Sequence, residues 1–121
     1  MDRGSRNTEE IFNHYMDAFL RRDLNDIMSD FDEKAIMITS PDRKVTGADG
    51  IKEFYRQFLG EIEEGTTFGV KQLTIEGDVA FLQWTATAPS STINDGVDTF
   101  MMRDGHIYAQ TVNFSITPAS A

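Results

Sequence analysis

The chain has no cysteine, only three prolines and a single tryptophan among its 121 residues. Without thiols, disulfides and thiolate metal sites are excluded, and the redox compartment is left open. Basic residues are scarce as well: 11 Lys and Arg against 20 Asp and Glu give a net charge of −9. Nucleic acid and anionic membrane surfaces are recognised through a positive footprint, so neither is an expected partner. No apolar run approaches the ~20 residues of a membrane-spanning helix. Met1–Asn7 is polar and lacks the apolar core of a secretory leader, so a cytoplasmic protein is expected. Also missing are HExxH, a Walker glycine loop, a dinucleotide fingerprint and a serine elbow. His14 and Asp17 stand three apart on one helix face, a poor ligand pair, and neither a metal nor a cofactor is expected.

What is present is patterned. The stretch Gly96–Ile116 holds two alternating runs joined by Arg103-Asp104-Gly105-His106. Asp-Gly between such runs is a strong hairpin signal, because a tight turn needs positive φ at both central residues. Side chains alternate across a strand, so Asp98, Phe100 and Met102 share one face. An ionised carboxylate in line with two large apolar side chains would be costly, so Asp98 must hold its proton or have a partner.

Upstream, Asn7 followed by Glu10 reads as a capping box opening a helix with the stripe Ile11, Phe12, Tyr15, Met16 and Phe19. Tyr15 then points inward and His14 outward. Asp23 caps a second short helix, and the acids Asp26, Asp30, Asp32 and Glu33 read as a solvated face. Ala35–Thr39 is a buried strand, ended by the turn residues Ser40-Pro41-Asp42. A short edge segment, Arg43–Thr46, leads to a third helix with the stripe Ile51, Phe54, Tyr55, Phe58, Leu59 and Ile62.

Beyond it the period changes from 3.6 to 2. Thr67–Ile75 is a strand whose Val70-Lys71-Gln72-Leu73 breaks alternation as a bulge would. Val79–Thr87 returns with an apolar face of Ala80, Leu82, Trp84 and Ala86. Pro89–Asp95 reads as a loop and Thr117–Ala121 as a tail. Helices first and meandering strands after give an α+β order. The expected architecture is one domain over residues 1–121, a curved, largely antiparallel (mixed) sheet wrapped around three N-terminal helices as a cone. Where the helices leave the cone unfilled, a central apolar pocket remains. From the residues alone the plainer readings are favoured: Asp98 as a satisfied or edge-exposed carboxyl, Tyr15 as a core tyrosine with its hydroxyl bonded.

Several words of the sequence shift that balance: Tyr15 with Asp23-Leu24 and Phe31; Gly47-Ala48-Asp49-Gly50-Ile51-Lys52-Glu53-Phe54-Tyr55; and Val97-Asp98-Thr99-Phe100 with Asp104-Gly105-His106-Ile107. Over nearly the whole chain they resemble the ketosteroid isomerase branch of the nuclear transport factor 2-like superfamily, which includes SnoaL-like polyketide cyclases and whose fold is also described as cystatin-like. In ketosteroid isomerases a first-helix tyrosine and a late-strand aspartic acid, kept neutral by its apolar site, form an oxyanion hole. The resemblance sets Tyr15 and Asp98 in those roles and Tyr55 in that of a supporting second tyrosine. Candidate walls of the pocket are Met37, Thr39, Phe54, Phe58, Trp84, Phe100, Met102, Val112 and Phe114. One departure is plain: the family's general base is an aspartate at the end of the first strand, where this chain has Thr39. A threonine hydroxyl cannot take a carbon-bound proton near neutral pH, and Asp42 is a substitute only by proximity. The resemblance thus implies an isomerase, cyclase or related lyase acting on a small apolar carbonyl or phenolic substrate. The alternative is a non-catalytic ligand-binding or association module of the same fold. By analogy the sheet pairs two chains into a homodimer.

Overall fold

The fold follows from where the chain caps its helices and where it turns. A computed structural model describes residues 3–39 and 43–119. Helix α1 (Thr8–Leu20) starts at the expected capping box: the Asn7 side chain accepts from the Glu10 amide at 2.8 Å, and the Glu10 carboxylate accepts from the Asn7 amide at 2.9 Å. Its stripe of Ile11, Phe12, Tyr15, Ala18 and Phe19 is buried. Asp23 caps the short α2 (Leu24–Met28), as its sequence predicts. Strand β1 (Phe31–Thr39) and edge strand β2 (Arg43–Thr46) precede α3 (Ala48–Glu61), and β3 (Thr67–Glu76), β4 (Val79–Thr87), β5 (Ser91–Arg103), β6 (His106–Asn113) and β7 (Thr117–Pro118) follow.

These strands form one open, mixed sheet in the order β2-β1-β6-β5-β4-β3, with β7 paired to the start of β5. Among the described residues, only β1 and β6 pair in parallel. Helices α1 and α3 pack against the sheet. The buried face carries Met37 on β1, the row Ala80, Leu82, Trp84 and Ala86 on β4, and Asp98, Phe100 and Met102 on β5. The turn joining β5 to β6 has Asp104 at φ 53° and Gly105 at φ 77°, the geometry that Asp-Gly foretells. The irregularity at Val70-Gln72 of β3 is a register shift against β4.

Four details depart from the sequence reading. Strand β1 begins at Phe31, four residues earlier than its apolar run, because Phe31 already pairs with Ile107. Residues 91–95 are strand rather than loop, since Thr92 and Ile93 pair with Thr87 and Ala86. Thr117–Pro118 is a short strand rather than part of a tail. The turn Ser40-Pro41-Asp42, and with it the substitute base Asp42, lies outside the described residues.

The fourth departure is Asp30, which is wholly buried rather than solvated. Its carboxylate accepts from Arg6 Nη1 at 2.7 Å and from His14 Nδ1 at 2.6 Å. Arg6 Nη2 also donates to the Gly105 carbonyl at 2.8 Å, and His14 Nε2 lies 3.2 Å from Asp26. His14 is therefore half-buried, turned toward α2 instead of toward water. Local composition missed this because the partner of Asp30 sits 24 residues upstream. The cluster fastens the N-terminal segment, α1 and the β5–β6 turn to one another. Removing one member of a buried ion pair leaves the other charge uncompensated. Asp30→Ala is accordingly expected to lower the unfolding free energy by about 3–5 kcal/mol, measured by urea denaturation. A loss below about 1 kcal/mol, the range of exposed pairs, would show that the cluster does not hold the fold.

Candidate functional site

Strand pairing sets the centre of the site. Trp84 lies directly opposite Gly96, and Leu82 opposite Asp98. A Cβ on Gly96 would stand 2.2 Å from the Trp84 ring, so only glycine allows the indole to lie across β5 at this point. The indole then reaches diagonally along the buried face, and its Nε1–H donates to Asp98 Oδ1 at 2.9 Å. Trp84 thus occupies the concave side of the sheet.

The second oxygen of Asp98 is held from the other side. Gln110 Nε2 donates to Asp98 Oδ2 at 3.0 Å, and Gln110 Oε1 accepts from the Tyr55 hydroxyl at 2.8 Å. The Tyr55 hydroxyl is in turn 2.6 Å from that of Tyr15. Tyr15 and Asp98 are therefore joined through Tyr55 and Gln110, in one buried chain contributed by α1, α3, β6 and β5.

All five of these residues line one cleft of ≈ 100 Å³ between the helices and the sheet. Its remaining walls are apolar, chiefly Phe19, Phe54, Phe58, Phe68, Leu82 and Val112. Phe58 and Phe68 also border a neighbouring hollow of ≈ 400 Å³. The cleft therefore has a polar end made by one hydrogen-bonded chain and a hydrophobic remainder, the make-up of a small-molecule site.

Of the expected wall residues, Phe54, Phe58, Trp84 and Val112 line this cleft, together with Tyr15, Tyr55 and Asp98. Met37 and Phe100 do not, because both are entirely enclosed in the core. The Phe100 ring lies 4.9 Å from that of Tyr15 and serves as packing for it. Thr39 and Phe114 border a separate hollow with Arg43, Gln57 and Glu61, and Phe54 and Phe58 are common to both spaces. Met102 faces a depression beside Arg6, Thr8 and Ile11. At ~3.3 Å per strand residue it is roughly 13 Å along β5 from Asp98, too far toward the other end.

Gln110 was missed by sequence reasoning. A signal existed, since Gln110 is in phase with Val112 on an inward face. It was obscured by the register shift at Met101/Met102, which breaks the alternation between Ile107 and Gln110. Phe19 and Phe68, both read as core or strand residues, also proved to be walls.

The electrostatics follow from burial. Asp98 is only 7% exposed, and loss of hydration pushes its carboxyl up to about 6, while the bonds from Trp84 and Gln110 favour the charged form and limit the rise. Burial first, and the Asp98 charge next, hold the Tyr15 phenol well above its ordinary value. Tyr55 is raised as well, by burial and then by Tyr15 and Asp98. Both phenols therefore stay protonated at and well above neutral pH, whereas the Asp98 carboxyl is raised toward neutrality. Among the described residues lining the cleft there is no lysine, arginine or histidine.

A cone of three helices within an open, mixed, strongly curved sheet, with a pocket between them, is the nuclear transport factor 2-like α+β fold. Solved structures share it. An NTF2-like protein of unknown function from Burkholderia xenovorans superposes with a TM-score of 0.77 at 18% identity, covering 94% of this chain and 86% of that one. A protein provisionally assigned as a ketosteroid isomerase, from Kribbella flavida, gives 0.76 at 16% identity, covering 94% and 82%. One provisionally assigned as a polyketide cyclase, from Sinorhizobium meliloti, gives 0.73 at 19%, covering 85% and 93%. At such identities the likeness carries the fold and not a reaction. No curated protein matches the sequence. The SnoaL-like domain family matches residues 12–110, and the chain belongs to that family.

The raised Asp98 value makes a signed prediction. A carboxyl whose folded-state value exceeds the ordinary 3.8 favours folding while neutral. That contribution is fully present below 3.8 and is lost as pH rises through about 6. Asp98→Asn stays neutral throughout, so its stability relative to wild type should grow by on the order of 2–3 kcal/mol between pH 4 and 7.5. Urea denaturation at a series of pH values reads this difference, and other carboxylates cancel between the two proteins. Parallel stability curves would refute the assignment.

Proposed function

We propose that the chain binds a small, largely apolar molecule carrying a carbonyl or phenolic oxygen, with that oxygen seated at the polar end of the cleft. The observation that carries this reading is the carboxyl of Asp98, buried in an apolar hollow and held only by neutral N–H donors from Trp84 and Gln110. Tyr15, joined to Asp98 through Tyr55 and Gln110, would stabilise negative charge developing on the ligand's oxygen, an effect often worth several kcal/mol where water is excluded. Isomerases, cyclases and related lyases that move a proton beside a carbonyl depend on such stabilisation. A carboxyl poised at about 6 is also within range of proton transfer near neutral pH. Thr39 stands where the resembling enzymes keep a base, so a proton removed in this cleft would pass to water or to the ligand itself. No cofactor enters this reading.

The test is binding of 1-tetralone and 2-naphthol, with naphthalene as the reference that has no oxygen, followed by quenching of the single tryptophan. At pH 5, Tyr15→Phe is expected to weaken the two oxygenated probes about five- to tenfold relative to naphthalene, the effect of one hydrogen bond of ~1 kcal/mol. Equal losses for all three probes would sink the reading.

The outer face of the sheet supports a second property, association of two chains. Across it run the cross-strand rows Ile38–Thr111–Thr99–Phe81 and Ile36–Ala109–Met101–Val79. Ile38 is 50% exposed and Phe81 37%, so the face is apolar and uncovered by the chain's own helices. Exposed apolar side chains grouped on an uncovered face support an interaction surface, and pairing of that face with a second copy would give a two-fold dimer. Sedimentation at micromolar concentration is expected to give a dimer, and Phe81→Lys a folded monomer. A clean monomer for the wild type would rule the dimer out.

A further inference from the structure

Resting on the reading of the cleft as a binding site, we infer that Gln110 is a positioning residue whose side-chain amide turns over when Asp98 gains or loses a proton, so that Tyr15 offers the ligand a donor only when Asp98 is protonated.

The argument is one of counting protons. An ionised carboxylate only accepts, so Gln110 must turn its NH2 toward Asp98 Oδ2, 3.0 Å away. Its carbonyl then faces Tyr55 at 2.8 Å, which must donate. A phenol has one proton, so Tyr55 accepts from Tyr15 across 2.6 Å, and the Tyr15 proton is committed to the protein. A ligand then finds only lone pairs on Tyr15.

Protonation reverses the chain. Trp84 keeps Oδ1 as an acceptor in both forms, so the added proton sits on Oδ2, the oxygen facing Gln110. Asp98 now donates, and the amide turns so that its oxygen accepts from Asp98 and its NH2 donates to Tyr55. Tyr55 donates to Tyr15, whose proton becomes available to the cleft. The carbonyl and amino ends of the amide are similar in size, so the turn leaves the packing unchanged. Asp98, Gln110, Tyr55 and Tyr15 each keep at least one hydrogen bond to the chain in both arrangements. The one proton gained comes from solvent water, and no other proton leaves its heavy atom.

The surroundings leave Asp98 as the controlling group. The titratable groups facing it are the phenols of Tyr15 on α1 and Tyr55 on α3, while β4 presents Trp84 and Leu82 and β6 presents Gln110 and Val112. Asp30 acts on Tyr15 at longer range and is itself bound by Arg6 and His14. With Asp98 at about 6, the two arrangements interchange just below neutral pH. A ketone or phenolate, which can only accept, is bound together with a proton.

The experiment is a pH titration of 1-tetralone affinity with naphthalene as reference. Wild-type affinity for tetralone is expected to be flat at low pH, to fall about five- to tenfold in all as pH passes the Asp98 midpoint, and then to level off, because one hydrogen bond of ~1 kcal/mol is lost. Asp98→Asn should hold the low-pH affinity up to pH 8, because its NH2 donates to Gln110 at every pH. Gln110→Met should abolish the pH dependence. A wild-type profile as flat as that of naphthalene, or an unaltered slope in Gln110→Met, overturns the inference. If Tyr15→Phe still selectively weakens tetralone in that case, the binding site stands and only the relay fails. If neither probe binds, both fall. A ligand-free measurement stands apart from these. The NMR signals of the Trp84 indole N–H and the Tyr15 ring Cζ should shift with one midpoint in wild type, and the Tyr15 signal should stop responding in Gln110→Met. A Tyr15 signal indifferent to the Asp98 titration in wild type also overturns the inference.

Discussion

A carboxyl group facing an apolar cleft is the constraint on which this structure turns. Asp98 keeps its place because two neutral donors reach it from opposite sides, the Trp84 indole and the Gln110 amide. Each depends on something further out. The indole needs the bare backbone of Gly96, and the amide is oriented by Tyr55, which is oriented by Tyr15. One side chain thus ties together β4, β5, β6, α3 and α1. A one-residue slip in β4 would carry Trp84 to the outer face and leave Asp98 Oδ1 without its donor. The register of the sheet and the chemistry of the cleft are the same fact seen at two scales.

The two buried aspartates show how much the partner decides. Asp30 meets a guanidinium and an imidazole, and it fastens the N-terminal segment to the β5–β6 turn. Asp98 meets only uncharged N–H groups, and no cation lines its cleft among the described residues. Neutral donors compensate the lost hydration of a carboxylate only in part, which is why its carboxyl is raised toward neutrality. The same residue type is therefore a staple at one place and a poised proton site at another.

Much of this was legible in the residues, and the gaps have physical causes. Caps at Asn7 and Asp23, the Asp-Gly turn, the bulge after Val70 and the buried row on β4 are local signals, and each is found where the sequence puts it. Asp98 stood out because a carboxyl in an apolar row must have a reason. Gln110 and the Arg6–Asp30 pair did not, since each depends on contacts between distant parts of the chain. The pocket walls were partly misread for another reason. Alternation says which face a residue takes, but not how far along the cone it lies, so Phe100 and Met102 shared a face with Asp98 without sharing its cleft.

Thr39 sharpens what the cleft can do. In the resembling enzymes a separate carboxylate removes the proton while the buried acid and tyrosine receive the charge. Here the end of β1 carries a hydroxyl and opens on a different hollow, beyond Phe54 and Phe58. Division of labour between two carboxyl groups is thereby lost among the residues lining the cleft, and Asp98 is left as the one group there that titrates near neutral pH. Under the proposed function, a site with one such group and a hydrogen-bonded relay is suited to a substrate whose own acidity does part of the work, such as a phenol or a doubly activated methylene. It is poorly suited to an unactivated ketone, where a strong, independent base is indispensable. On the proposed reading, the cleft binds simple ketones readily and transforms only ligands already prone to lose a proton.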